Sequence, residues 1–249
     1  MEEKSIIEVL KSIGEINIQE DNGYDFKENK VPRVTQIISQ MMHEDYIAYW
    51  ANSLGFKRIS YSVSLREAAE KGTYTHNAIE KYLSKGIYPN TENLPPMAIQ
   101  SVENAFSGFL CWYDIIKKNN TVDVIFVEKK LVCKYFGGTL DCLLKIGDKI
   151  WLIDFKTTNH VSDKHFLQLA AYRYMLDTVL DIQVDGCLIL QLNKSIPANF
   201  KEYILDFSVN DHLYFINKCQ ETFMSLVYAY YNRIQVECDF KNIFGGRKK

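Results

Sequence analysis

The chain has no long apolar run, no cysteine pair at finger spacing, few prolines and almost no net charge. Each absence removes a class of protein. No apolar stretch approaches the ~20 residues that cross a bilayer as a helix, so neither a membrane span nor a membrane partner is expected. The opening MEEKSIIEVLKSIGE is charged and amphipathic and lacks the apolar core of a secretory signal, which predicts an intracellular protein. With 5 prolines and 12 glycines in 249 residues, collagen-like and low-complexity architectures are excluded. The six cysteines (Cys111, Cys133, Cys142, Cys187, Cys219, Cys238) form no CxxC and have no neighbouring histidine at finger spacing. They are expected to be reduced core residues, and an iron–sulfur ligand set, which needs clustered spacing, is not expected. A net charge of −2 gives no support to a strongly basic nucleic-acid binder. It leaves a local basic groove open, because the distribution of charge matters more than its total. No G-x-x-x-x-G-K-[ST] phosphate loop occurs, so any helicase or recombination function would belong to a partner.

What is present forms a core. The chain is 47% hydrophobic, 24% charged and 13% aromatic, the balance of a folded protein rather than a disordered one. No repeat, low-complexity run or Gly/Ser linker divides it, so a single domain over 1–249 is expected, mainly helical over 1–120 and sheet-based over 121–249. SLRE at Ser64–Glu67 is a capping box that predicts a helix from Ser64 to about Gly86. A second helix is predicted from Met97 to about Lys118, with Phe106, Phe109, Leu110 and Tyr113 at helical spacing as core. From Val122 the period becomes that of strands: VDVIFVEKKLVCKYF, GTLDCLLKI and KIWLIDFKT are β-branched and aromatic runs broken by glycine. A helix follows with Asp163 as its expected N-cap, then two strands, VDGCLILQLNK and KEYILDFSV, and a closing helix from about Val209 to Arg233. The fold class is therefore α/β or α+β: a central mixed sheet with an antiparallel hairpin, flanked by helices.

Two carboxylates lie inside apolar strands of that sheet, Asp141 and Asp154. Gly147-Asp148 suits a two-residue hairpin turn. If Ile146 pairs with Lys149, the ladder carries Asp141 to the position opposite Asp154, with Lys156 on the same face. Like charges in that arrangement repel, and burial makes each more costly. A hard divalent cation relieves the conflict, and so does protonation of one carboxyl. Taken alone, Asp154 and Lys156 are equally an ordinary strand salt bridge.

The surrounding residues point further. Asp141, Asp154-Phe155-Lys156 thirteen residues later, QLAAY at Gln168–Tyr172 and an upstream Gly72-Thr73-Tyr74-Thr75-His76 follow one another in order. This set resembles the PD-(D/E)XK nuclease superfamily, and within it the RecB-type branch, with its G-x-x-D, hhDhK-[ST] and Q-x-x-x-Y motifs. It is similar to the mitochondrial genome maintenance exonuclease group and its phage and bacterial relatives, from about His76 to Tyr172; VPRVTQIIS near the N-terminus also resembles a segment of that group. The resemblance implies a restriction-endonuclease-like core in which Asp141, Asp154 and the backbone carbonyl of Phe155 ligate Mg²⁺ or Mn²⁺, with His76 a further ligand. It implies that Lys156 orients the attacking water or stabilises developing charge, supported by Gln168 and Tyr172. Glu128 is a further metal candidate; as a charged residue on an edge strand it serves equally to discourage sheet pairing. Thr157 is positioned to bond a phosphate oxygen or simply to end a strand.

The activity so implied is metal-dependent hydrolysis of DNA, on a single strand with a free end, in replication, recombination or repair. An endonuclease of the same superfamily and a non-catalytic DNA-binding or assembly module are the alternatives. The iron–sulfur cluster of CRISPR adaptation nucleases is not expected, because the first cysteine, Cys111, follows His76. In the helical first third, Tyr46, Tyr49, Trp50, Tyr61 and Tyr74 interleave with Arg58, Arg66 and Lys71. That mixture suits either a core or a strand-guiding surface of basic and stacking groups.

Overall fold

In the computed structural model, residues 23–27, 29–42 and 45–245 are described, so the amphipathic opening lies outside them. Strands form where β-branched and aromatic residues run between glycines. β1 (Tyr24–Phe26) and β2 (Asn29–Val31) make a small hairpin of their own. β3 (Val122–Val132), β4 (Gly137–Ile146), β5 (Lys149–Lys156), β6 (Gly186–Leu192) and β7 (Phe200–Asp206) form one sheet in that spatial order. All neighbours are antiparallel except β5 and β6, which run parallel because a helix crosses over between them. The expected turn is present: Gly147 has φ +60°, a conformation glycine adopts without a Cβ penalty, and Ile146 pairs with Lys149.

The helices are α1 (Val34–Met41), α2 (Asp45–Phe56), α3 (Tyr61–Lys85), α4 (Pro96–Asn119), α5 (Asp163–Leu180) and α6 (Asn210–Phe244). VPRVTQIIS leads out of β2 into α1. α1, α5 and α6 cover one face of the sheet, burying Ile37, Leu143, Ala170, Met175 and Phe223. α3 and α4 cover the other, burying Ile79, Phe109, Trp112, Leu144 and Ile153. Burial of each such side chain contributes about 1.5–3 kcal/mol against exposure, which is what holds both layers on the sheet. Phe106, Phe109 and Tyr113 are buried as the helical spacing predicts, and Leu110 is half-buried beside them.

Three boundaries differ from expectation. α3 begins at Tyr61 with Ser60 as N-cap, one turn before Ser64. The Ser64 amide already donates to the Ser60 carbonyl (3.1 Å), and Tyr61 packs edge-to-face on Trp50 at 5.2 Å, giving the extra turn a partner. Ser162 rather than Asp163 caps α5; the Ser162 amide donates to His165 Nδ1 at 2.9 Å, leaving Asp163 in the first turn, where its charge suits the helix dipole. α6 continues 11 residues past Arg233, because nothing breaks it before Gly245 and pairs four apart (Gln235–Asp239, 3.0 Å; Arg233–Glu237, 3.7 Å) support the extension. The six cysteines form no disulfide, and Cys133, Cys142, Cys187 and Cys219 are buried.

Candidate metal centre

The centre starts from a break in strand alternation. Leu140 and Cys142 are two apart and belong on one face of a regular strand, yet they lie in opposite cores. Asp141 occupies the break. On the neighbouring strand the pairs Val127↔Cys142 and Lys129↔Leu140 flank Glu128, which therefore faces Asp141. Glu128 has φ +47°, a left-handed conformation that is strained for a residue with a side chain, at a cost of order 1–3 kcal/mol. A strained carboxylate facing a second, buried one makes this the most unusual backbone in the sheet.

α3 supplies the third member. Thr75, Ala78 and Ile79 face the sheet, and His76 stands at the edge of that face, with its ring edge-to-face on Phe155 at 6.2 Å. His76 Nδ1 lies 3.4 Å from Asp141 Oδ1 and 3.7 Å from Glu128 Oε1. The three donor atoms all lie within 4.8 Å of one another. Oxygens on opposite sides of one Mg²⁺ are ~4.2 Å apart, so small rotamer changes close the trio on an ion. The chemistry of the set also fits: two carboxylate oxygens and one imidazole nitrogen converge, donor types that hold a divalent cation.

The β4–β5 ladder ends at Cys142↔Ile153, one step short of the expected pairing of Asp141 with Asp154. The Phe155 amide donates to Asp141 Oδ2 at 2.8 Å, so a side chain takes the place of the next rung. Asp154 belongs instead to a second group. Lys156 Nζ donates to Asp154 Oδ1 (2.9 Å) and to Gln168 Oε1 (3.1 Å), and Gln168 Nε2 donates to the Tyr172 hydroxyl (3.2 Å). Asp154 Oδ2 is 2.8 Å from the same Nζ in ion-pair contact but accepts no aligned hydrogen bond, although it is buried. A buried acceptor left open in this way is a further feature that suits a cation. Thus the structure brings together His76, Glu128 and Asp141, and separately Asp154, Lys156, Gln168 and Tyr172. The two groups are close enough for the Asp141 charge to act on Asp154 and the Lys156 charge to act on Asp141.

Burial opposes the charge on His76, Asp141, Asp154 and Lys156, and neighbours outweigh it in all of these but Asp154. Burial disfavours protonated His76, but the Asp141 charge and hydrogen bonds to Asp141 and Glu128 overcome it and raise its pKa to about 10. Asp141 is held below the usual carboxylate range: burial works against ionisation, while His76, Lys156 and the Phe155 amide outweigh it. For Asp154 burial prevails over Lys156, and with the Asp141 charge beside it the carboxyl is pushed up to about 6. Lys156 stays charged, because Asp154 and Asp141 more than offset its burial.

A raised histidine pKa gives stability that is complete below the unfolded value of about 6.5 and fades as pH rises toward 10. A metal ion taking this place must displace that proton. Titration calorimetry with Mn²⁺ at pH 7.5, in buffers of different ionisation enthalpy, should therefore register release of about one proton per ion, with affinity rising as pH rises. Uptake without proton release rules His76 out as a ligand.

The Gly137-Gly138 doublet reads from sequence only as a strand break, but a side chain at Gly138 would overlap the Tyr172 ring and one at Gly137 the Tyr24 ring. The missing Cβ lets the Tyr172 ring come close against β4, and a GG pair ahead of an aspartate was the available signal. Of the interleaved aromatic and basic residues, Tyr49 is 76% exposed and Arg58 and Arg66 are exposed, whereas Trp50, Tyr61, Tyr74 and Lys71 are half-buried. The Tyr46 side chain lies outside the described residues. No helix among the described residues is long and apolar enough to cross a membrane.

No family model matches the chain, and no curated protein matches it. Among solved structures it is distantly similar to a protein solved as SSO0001, at 13% identity over 89% of this chain and 82% of that one, with a TM-score of 0.32. It is also distantly similar to a phage related exonuclease from Haemophilus somnus 129PT, at 12% identity over 84% of this chain and 96% of that one, with a TM-score of 0.33.

Proposed function

We propose that the chain is a single nuclease domain of the PD-(D/E)XK superfamily, of the RecB type, hydrolysing single-stranded DNA from a free end with Mg²⁺ or Mn²⁺. The observation that carries this reading is the juxtaposition of the His76–Glu128–Asp141 trio with the buried ion pair Asp154–Lys156 at the end of β5. His76, Glu128 and Asp141 hold the ion, with Asp154 Oδ2 and the Phe155 carbonyl as further ligands. When bound, the ion supplies positive charge for the scissile phosphate and a lowered pKa for water. Lys156 holds a permanent positive charge beside the attacked phosphate and orients the nucleophile. Gln168 fixes the lysine from α5, and Tyr172, locked against Gly138, fixes Gln168. Asp141 also orients β5 through the Phe155 amide, so ligand and lysine keep a constant spacing.

End-labelled single-stranded, duplex and circular DNA, each incubated with Mg²⁺ and either this protein or its Asp154→Ala variant, test the proposal. Linear single strands should shorten and circles survive, with no cleavage by the variant. Cutting of circles would replace the exonuclease with an endonuclease, and no cutting of any substrate would leave a non-catalytic DNA-binding module.

A further inference from the structure

A second feature lies one strand away, at the carboxyl ends of the parallel pair β5 and β6. There an open pocket of about 430 Å³ is lined by Thr158, Asn159, Asn193, Lys194, Ser195 and Lys201 among others, with no carboxylate in its lining. The ends of parallel strands are where open α/β sheets present their loops to ligands. The floor of the pocket adjoins the catalytic lysine, since Lys156 pairs with Gln191 in the β5–β6 ladder.

The pocket wall is built rather than incidental. Asn193 Oδ1 accepts the amides of Ser195 (2.8 Å) and Ile196 (3.0 Å), folding the β6–β7 loop back on itself. That loop is then fastened to α4 at three points. Asn104, itself buried, donates to the Lys194 carbonyl at 3.0 Å. The Ala198 amide donates to Ser107 Oγ at 2.8 Å. Gly108 gives the loop room, since a Cβ there would stand 2.7 Å from the Asn199 carbonyl oxygen. From the other side, Gln191 Nε2 donates to the Thr158 carbonyl at 2.8 Å. These bonds leave the Lys194 backbone no freedom to wander, so its half-buried ammonium is aimed from a fixed base.

Lys71 on α3 faces it closely enough that, after burial, its charge is the next cause lowering the Lys194 pKa. Neither lysine takes part in an ion pair among the described residues. Lys71 borders the neighbouring surface that also carries Glu67 and Glu70, while the Lys194 side of the gap has no carboxylate. Two half-buried cations that repel each other are stabilised when an anion enters between them. Gly72, next to Lys71, lets α3 pass close to the Thr157 hydroxyl, which a Cβ there would meet at 3.5 Å.

We infer that Lys194 and Lys71, with the hydroxyls and amides of the β5 and β6 ends, form a phosphate subsite that grips the polynucleotide backbone beside the scissile phosphodiester. This inference rests on the nuclease reading for the identity of its ligand, a backbone phosphate. Lys194 here is a binding and positioning residue and takes no part in the chemical step.

Anisotropy of a fluorescein-labelled dT12 in Ca²⁺ tests it, using the full chain and its Lys194→Ala and Lys194→Arg variants across a salt series. Lys194→Ala should weaken binding about tenfold, the loss of one charge-assisted contact. It should also flatten the slope of log K against log salt by about 0.7, one phosphate contact on a single strand. Lys194→Arg should restore both, and a thermal melt of the alanine variant should match the parent. A parallel amide NMR titration with inorganic phosphate follows Asn193, Lys194 and Ser195. Equal affinity and equal slope in the alanine variant overturn the subsite while leaving the nuclease reading intact. Phosphate shifts at those amides without any oligonucleotide binding uphold the anion site and overturn the nuclease reading. No response in either measurement overturns both.

Discussion

Lys156→Ala lowers the single-turnover rate of DNA cleavage by about 10²–10³-fold, the loss on removing one preorganised group that stabilises transition-state charge. Among the described residues the lysine's hydrogen bonds and ion pair go to Asp154 and Gln168, so no distant polar network changes with it. The substitution has a second signature. With Nζ gone, Asp154 keeps its burial and loses its countercharge, so its pKa rises above the present value of about 6. A carboxyl whose folded pKa lies above its unfolded value of about 3.9 costs stability as pH rises between the two. Lys156→Ala should therefore melt close to the parent near pH 4 and progressively below it toward pH 8. Metal-induced stabilisation should persist, because His76, Glu128 and Asp141 are untouched. Full cleavage activity in this variant would sink the assignment of Lys156, whatever its melting profile.

Asp141→Asn has the largest expected effect on metal binding. The amide oxygen can still accept the Phe155 amide, so the strand ends stay together, but one of the two charges around His76 is gone. For the parent, Mn²⁺ at a hundred times its Kd adds about 2.7 kcal/mol of stability, and a chain of this size gains ~2–4 °C per kcal/mol, hence a rise of ~5–10 °C in Tm. The variant should show no such rise and no cleavage. Its metal-free Tm at pH 7 should also fall, because the charge that chiefly holds His76 protonated is absent. A retained Mn²⁺-induced rise in Asp141→Asn would place the ion elsewhere.

The sheet was legible because hydrophobic period and glycine punctuation agree along residues 122–206, and a two-residue turn at Gly147 leaves one register. Element ends were less legible: Ser64 has the capping-box spacing to Glu67, yet the helix extends back to Ser60, where Tyr61 packs on Trp50. Within the site, hairpin spacing drew attention to Asp141, Asp154 and Lys156, and the motif resemblance made them candidates. Their division into two groups could not be read in this way, since it depends on the Asp141 carboxylate capturing the Phe155 amide. Glu128 looked like a charged edge-strand residue because nothing in EKK announces a positive φ. The Lys194 loop was read as a strand end, its fastening to Asn104 coming from a residue ninety positions earlier.

The close seating of Tyr172 on Gly138 has an entropic consequence. A free lysine side chain has about 2 kcal/mol of rotamer entropy to lose before it can hold one orientation. Here a ring wedged against bare backbone fixes an amide, and the amide fixes the ammonium. The disorder of Lys156 is thus removed once, when the chain folds, and need not be removed again each time a strand arrives.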